Sequence, residues 1–537
     1  MNQKFQLPQR VATFAFWAGL VIAVSIGAGL RLPDLDLRPM HVDEAIQAAR
    51  FGQLLEEGTF DYLPDDGHGP GHLYFAIPVS RLAGTTSYET SSEWSLRLTP
   101  ALFGIGLVAL TAVAFRRWLG SSASIASALL VAASPMMGFY SRYFIMELPM
   151  VFFLLAFLAC SWRYLLTQRL PWLLGAGLCG AIMHATKETF GISIVALVIA
   201  IPLVACLQSI RSGEGRDWFR RRVDDPAKLA IHLAIALPLS LLASAALYSV
   251  WFSNPEAIAD SYKTYSNYFN RATGPTGHEK PWHYYLQLLF YKEMADGFNW
   301  SEALTLVLAA IGILSAFTWR SLPRETQILA QTLALYTIFS FAIYSLIPYK
   351  TPWSIMAALH GATLLAGFGF AALLRLVRAL PLQAALWLAL LLGIRQLATQ
   401  SATASFPYLG KVPIYAMENR NPYVYGHTTT GFVNNIVEPM QRLLAASPDG
   451  KNTVIRIIHN ESAWPIPWYF RDYPINPTAG IQAEENAPLV LTDDAHFDTV
   501  QEKLGDAYTF TSANLREEVW IYLFYKQSLF DLAHPDL

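Results

Sequence analysis

Four short polar clusters interrupt long apolar stretches in this 537-residue chain, and their residue types suit a charged, hydroxyl-bearing substrate. The first is Asp43-Glu44, in RPMHVDEAIQAARFGQLLEEG. An aspartate held against an apolar surface stays ionised yet is desolvated enough to take a proton, which suits a general base. The structural alternative is plain: carboxylates in a helix's first turn meet the positive end of its dipole. His41 flanks the pair and His68 lies in the following GHGPGHLY loop, so both are candidate substrate contacts. The second cluster, SRYFIMELP, carries Arg142 and Glu147. Either these two pair to close a turn, or Glu147 converges with Asp43 on an acceptor or a divalent metal, Mg or Mn. The third places Lys187 and Glu188 after His184, and the fourth is Tyr349-Lys350 within PYKTPW. A lone cation at a membrane boundary can simply snorkel. Arg142, Lys187 and Lys350 together on the face that holds two acidic clusters suit another task, neutralising the charge that grows on a departing lipid-linked phosphate.

The elements that must position these residues are membrane helices. The composition is 53% hydrophobic and only 15% charged, where soluble domains run to about a quarter charged. Apolar runs at 11–30, 98–115, 123–137, 148–166, 172–186, 191–207, 229–250, 303–317, 328–347, 354–373 and 382–394 approach or match the length a bilayer requires. About eleven transmembrane helices are therefore expected. The first is read as a retained helix and not a signal peptide, because no small-residue cleavage site precedes Arg31. Cys160, Cys179 and Cys206 all fall inside apolar runs and suggest neither a disulfide framework nor a metal site. A net charge of −2 gives no argument for nucleic acid.

Lys and Arg placement orients the helices. Lys4, Arg10, Arg116, Arg117, Arg163, Arg169, Arg320, Arg324, Arg375, Arg378 and six more between 208 and 228 cluster on one side, which puts the N-terminus in the cytoplasm. The outer segments are then 31–97, the turns at 138–147 and 187–188, the long loop 251–302, the turn 348–353, and everything after about 399. From Val42, Ala45, Ile46, Ala49 and Leu54 recur at near-helical spacing, so an amphipathic helix along the membrane surface is expected there. Tyr262, Tyr265, Tyr268, Trp282, Tyr284 and Tyr285 make the long loop a candidate lid. The tail alternates strand-like runs (453–459, 489–492, 519–524) with helical ones (432–444, 495–504), predicting a small extracytoplasmic α/β domain. Its aromatic blocks, Asn421 to His427 and Trp464 to Tyr469, serve either as domain core or a belt against the membrane surface, or as a roof over the cleft that contacts the acceptor. The expected organisation is a membrane module at 1–398 and a separate domain at 399–537.

At these residues the chain resembles the GT-C glycosyltransferases, and within them the protein mannosyltransferase-like group of glycosyltransferase family 39. It looks nearest to the family called flippase activity-associated. The strings RPMHVDEA, HGPGHLYF, SRYFIMELPM, ATKETF, YKTPW, ENRNPYVYGHT and WPIPWYFRDYP carry the likeness, in order, from about residue 38 to 473. The resemblance implies transfer of a sugar from a polyprenyl-phosphate-linked donor, reached from within the membrane, to a glycan, protein or lipid acceptor outside. It implies Asp43 as the base that activates the acceptor hydroxyl, Glu44 beside it, and Glu147 at the second acidic motif. That motif usually carries an Asp or an acidic pair, and the single Glu here weakens the expectation of a tightly held metal. A prokaryotic plasma membrane is the expected setting. A lipid-linked-sugar flippase or a non-catalytic scaffold remain the alternatives, although polar clusters at the outer boundary fit a transporter's midplane site poorly.

Overall fold

The computed structural model describes residues 9–64, 68–212, 225–273, 278–406, 420–459, 463–478, 487–516 and 518–535. Among these, eight helices are long and apolar enough to cross a membrane: α1 (Gln9–Gly29), Glu93–Ala114, Glu147–Thr167, Phe190–Ile210, Pro226–Tyr248, Arg324–Leu346, Pro352–Leu376 and Leu380–Ser405. Three shorter apolar helices, Ser121–Ala133, Leu170–Thr186 and Ala303–Thr318, complete the eleven expected from the runs. The chain is a multi-pass, mostly helical membrane protein. Several of the basic residues that orient it, including Lys4, Arg216, Arg220, Arg221 and Arg222, lie outside the described residues.

The innermost helix is Met356–Leu376, most of whose residues are buried. It crosses Ala303–Thr318 so closely that a Cβ on Gly312 would lie 2.0 Å from the Leu365 carbonyl, and one on Gly369 would lie 2.1 Å from that of Leu308. Without a hydrophobic drive between helices in lipid, such backbone-to-backbone packing is what holds them. The run at 123–137 is not one helix. Pro135 bars the α conformation at Ser134, so a new helix, Pro135–Tyr140, starts there with the Ser134 hydroxyl accepting from the Met137 N–H at 3.2 Å.

Between α1 and Glu93–Ala114, which we label α4, two further helices lie on the end of the bundle. The expected amphipathic helix is α2, Val42–Glu56. The second, α3, spans Gly71–Leu82. The long loop contains a helix of its own, Glu256–Thr273, and a small hairpin of β1 (Lys292–Glu293) and β2 (Asn299–Trp300).

The tail builds a five-stranded sheet from β3 (Ile455–Ile458), β4 (Ile475–Thr478), β5 (Leu489–Asp493), β6 (Tyr508–Arg516) and β7 (Val519–Lys526). Its order is β4-β3-β5-β7-β6. β3 pairs in parallel with β4 and β5, whereas β7 runs antiparallel to both β5 and β6. Phe432, Ile436, Met440 and Leu443 cover one face and give the sheet its own core. This unit rests directly on the first loop. The Tyr469 hydroxyl accepts from the Met40 N–H at 2.8 Å, the Thr428 hydroxyl donates to the Met40 carbonyl at 2.7 Å, and the Trp468 indole donates to Glu93 at 2.8 Å.

Candidate active site

α2 begins where His41 supplies the cap. The His41 Nδ1 accepts from the Asp43 N–H at 3.0 Å, and the Glu44 carboxylate accepts from the His41 N–H at 3.1 Å, a reciprocal capping box. Ala45, Ala48 and Phe51 then bury one face against the first loop's own core. Asp43, Ile46 and Gln47, at i, i+3 and i+4, share another face and line a cavity of about 550 Å³.

The two adjacent carboxylates meet different fates. Glu44 is fully buried. It accepts two charge-assisted bonds from the Arg97 guanidinium, Nε to Oε1 at 2.7 Å and Nη2 to Oε2 at 2.7 Å, and a third from the Phe144 N–H at 2.7 Å. Burial pushes its carboxyl upward, but the Arg97 charge and these bonds outweigh that, and Glu44 titrates below the usual glutamate value. Arg97 also donates to the carbonyls of Leu35, Arg38 and Pro39, so the pair staples α2 to the exit of α1. Asp43 is half-buried, and among the described residues nothing donates to its carboxylate. It is left to face the cavity.

Across that cavity stand Lys187 and Glu188, in the turn between Leu170–Thr186 and Phe190–Ser212. Lys187 pairs with Glu147. The other Glu147 oxygen is buried and has no hydrogen-bond partner among the described residues. Glu188 accepts from the Tyr62 hydroxyl at 3.2 Å and sits 2.8 Å from the His68 Nδ1, which is 3.1 Å from the Tyr268 hydroxyl. Burial raises the Glu188 carboxyl, but the His68 charge and hydrogen bond pull it below its ordinary range. Tyr265, Tyr268 and Phe269 bring the helix Glu256–Thr273 over the cavity, and Tyr349 and Trp353 close another wall. The floor is apolar, with Ile192, Val195, Ile343 and Ile347 from membrane-spanning helices. Val195, on a membrane-spanning helix, is 50% exposed, so the cavity opens at the side of the helix bundle.

Of the residues singled out from the sequence, Asp43, His68, Lys187, Glu188 and Tyr349 come together here, and Glu147 reaches the site through Lys187. Four do not line the cavity. Glu44 is taken by Arg97, and His41 caps α2 while its Nε2 lies 3.1 Å from the Tyr425 carbonyl. The Arg142–Glu147 ion pair does not form. Arg142 instead donates to the carbonyls of Arg31, Pro33 and Asp34, at 3.1, 2.5 and 2.6 Å, fixing the chain as it leaves α1. The Lys350 ammonium donates to the carbonyls of Lys280 (3.0 Å) and Ile347 and so fastens a turn. Of the tail aromatics, Trp468 is buried against the first loop, whereas Tyr425 is half-buried and packs edge to face on Trp353, a residue of the cavity wall.

Gln47 escaped the sequence reading, although it follows Asp43 by one helical turn; it is buried, lines the cavity, and its Oε1 has no partner. Glu44 and Glu147 are committed to cations, and among the described residues no three His, Cys, Asp or Glu side chains converge.

Residues 68–246 match the family described as dolichyl-phosphate-mannose-protein mannosyltransferase. No curated protein matches the chain. Among solved structures, ArnT from Cupriavidus metallidurans bound to undecaprenyl phosphate superposes with a TM-score of 0.61 at 16% identity, covering 96% of this chain and 98% of that one. Its apo state gives 0.59 at 16% identity, covering 96% and 99%. The Archaeoglobus fulgidus oligosaccharyltransferase in the apo form gives 0.53 at 13% identity, covering 86% of this chain and 64% of that one. The family match covers a third of the chain, and the likeness to these solved structures, at 16% identity or less, shows an ArnT-like GT-C fold shared along nearly its whole length.

Proposed function

We propose that this protein transfers a sugar from a polyprenyl-phosphate-linked donor to an acceptor hydroxyl on the extracytoplasmic side of the plasma membrane, with Asp43 as general base. One observation carries this reading: a half-buried carboxylate that accepts no hydrogen bond among the described residues and a buried lysine face one laterally open cavity whose floor is membrane helix. A donor with a long lipid tail can enter only from the bilayer, and a lateral opening provides for that. The family's description names a dolichyl-phosphate-linked sugar, and the ArnT structure holds undecaprenyl phosphate, which supports the same class of donor. The Lys and Arg distribution supports the orientation.

In this mechanism the acceptor oxygen attacks the anomeric carbon as its proton passes to Asp43. The bond from that carbon to the phosphate oxygen breaks, the configuration inverts, and the lipid phosphate leaves with its electron pair. Lys187 opposes the charge that gathers on the phosphate, which requires its ammonium to be shared between Glu147 and the donor. His68, held by Glu188 and Tyr268, lines the same cavity and orients the substrate there.

The test uses purified protein in liposomes with polyprenyl-phosphate sugars. Wild type should form a new glycosidic bond, and Asp43→Asn should lower that rate by about 10²- to 10⁴-fold, the usual worth of a positioned base, with unchanged thermal unfolding. Normal turnover by the variant would remove Asp43 from the role. Lipid reorientation without any sugar transfer by wild type would overturn the transferase reading itself.

A further inference from the structure

Gln47 lines the Asp43 cavity but takes no part in the steps above. It follows Asp43 by one turn of α2, which sets the two Cβ atoms roughly 5–6 Å apart on one helical face. Gln47 is 3% exposed, and its Oε1 has no hydrogen-bond partner among the described residues. An amide oxygen buried without a donor is costly, and folded proteins rarely keep one without a use for it. The side chain is also held in place. The capping box and the Glu44–Arg97 pair fix the start of α2, while Ala45, Ala48 and Phe51 bury an adjoining face.

A second atom of this kind belongs to the same cavity. Tyr265, on the covering helix 256–273, lines it, and its hydroxyl is buried with no hydrogen-bond partner among the described residues. Tyr268 and Trp353 add aromatic surface. Two polar groups with unused hydrogen-bonding capacity among aromatic walls match a ligand that is apolar on its ring faces and hydroxylated around its edge.

We propose that Gln47 selects the sugar of the donor, its carboxamide hydrogen-bonding one ring hydroxyl while Tyr265 contacts a second. This inference rests on the donor reading given above. The attacked carbon must lie close to Asp43, because the acceptor proton passes to that carboxylate, and a side chain one helical turn further on reaches the ring that carries this carbon. An amide offers both an N–H donor and a carbonyl acceptor, so it pairs with a hydroxyl whichever way the hydroxyl points. The carboxylate of an acidic sugar would instead meet the Asp43 charge and a second acceptor oxygen. The site therefore favours a neutral, hydroxylated sugar over an acidic one.

Binding of undecaprenyl-phosphate-linked sugars to the purified full-length protein in detergent, with no acceptor present, tests this. Dividing each affinity by that of undecaprenyl phosphate alone reads the sugar's own contribution. In wild type this ratio should be higher for the best of the mannose, glucose and galactose forms than for the glucuronate form. Gln47→Met, of nearly the same size, should lower the ratio about tenfold, the worth of one hydrogen bond to a buried group, with unchanged thermal unfolding. Tyr265→Phe should lower it by a smaller factor. Among mono-deoxy analogues of the best-bound sugar, one should bind wild type about tenfold more weakly than its parent, yet bind Gln47→Met as well as the parent does. Such non-additivity is the mark of two groups in contact. A purely structural glutamine would weaken carrier and carrier-linked sugar together and show no coupling to any single hydroxyl. That result, an unchanged ratio in Gln47→Met, or a ratio for glucuronate equal to that of the best neutral sugar would overturn the proposal and leave the transferase reading standing. Failure of wild type to bind either the carrier or any carrier-linked sugar would remove the donor reading, and this inference with it.

Discussion

Asp43 and Glu44 are neighbours in sequence and chemically similar, yet a single helical step separates a buried structural anion from a group left facing a cavity. Residue types alone marked the pair as interesting. Which of the two is held as a structural anion depends on Arg97, 53 positions away, and nothing in the local pattern reveals that bidentate contact. Removing one partner of a buried ion pair leaves the other uncompensated, so Glu44→Gln should cost about 3–5 kcal/mol of stability at neutral pH, read by chemical unfolding in detergent. The pH dependence has a definite sign. The Glu44 carboxyl titrates below its ordinary value of 4.5, so its contribution is complete above that pH and is lost as pH falls through the lowered folded value. The gap between wild type and Glu44→Gln should therefore close on acidification below about pH 4.5. A gap that stays constant down to acid denaturation would show that the carboxylate's charge is not what staples α2.

Elements were legible in proportion to how strongly their own surroundings dictated their pattern. The eleven apolar runs appear as eleven apolar helices, and the capped start of α2 falls at Val42 as expected. In the tail, the interior strands β3, β5 and β7 were readable because they are flanked on both edges and mostly buried. β4 and β6 sit at the sheet's edges, where Pro477 and a polar stretch such as Thr511-Ser512-Ala513-Asn514 are tolerated and blur any alternation. α3 was hidden for another reason: its length is too short to span, and Pro78 interrupts it. The GHGPGHLY segment before α3 shows what the glycines are for. A Cβ on Gly69 would stand 2.2 Å from the Ala185 carbonyl and 3.0 Å from the Tyr248 hydroxyl, so the loop lies flat on the end of Leu170–Thr186. That approach sets His68 beside Glu188. Gly69→Ala should cost roughly 1–3 kcal/mol through overpacking and slow sugar transfer by moving His68 off Glu188. Full activity with an unchanged unfolding midpoint would mean that the loop relaxes freely and that His68 does not depend on it.

For the molecule as a whole, the question is what holds a membrane-surface helix rigid enough to aim Asp43. Membrane helices form its floor, but the first loop is braced from above by the sheet unit. Trp468 is buried in the same hydrophobic cluster as Met40, Ala45, Ala48 and Phe51, and its indole donates to Glu93 at the head of α4. Arg471 stacks on Trp468 at 4.0 Å and donates to the carbonyls of Tyr88, Glu89 and Ser91. These contacts join segments nearly 400 residues apart, which is why the sequence left these aromatics open between domain core, a membrane belt and a cleft roof. Trp468→Ala should leave a cavity worth about 3–5 kcal/mol, and the loss should be local: amide exchange across 42–56 should accelerate while the closely packed pair 303–318 and 356–376 keeps its protection. On the proposed function, transfer should fall with it, because misplacing a reacting group by an ångström costs much of its effect. If exchange in α2 stays slow and transfer stays normal in that variant, the membrane helices and the Glu44–Arg97 staple alone suffice to position Asp43, and the sheet unit serves some other purpose than bracing the site.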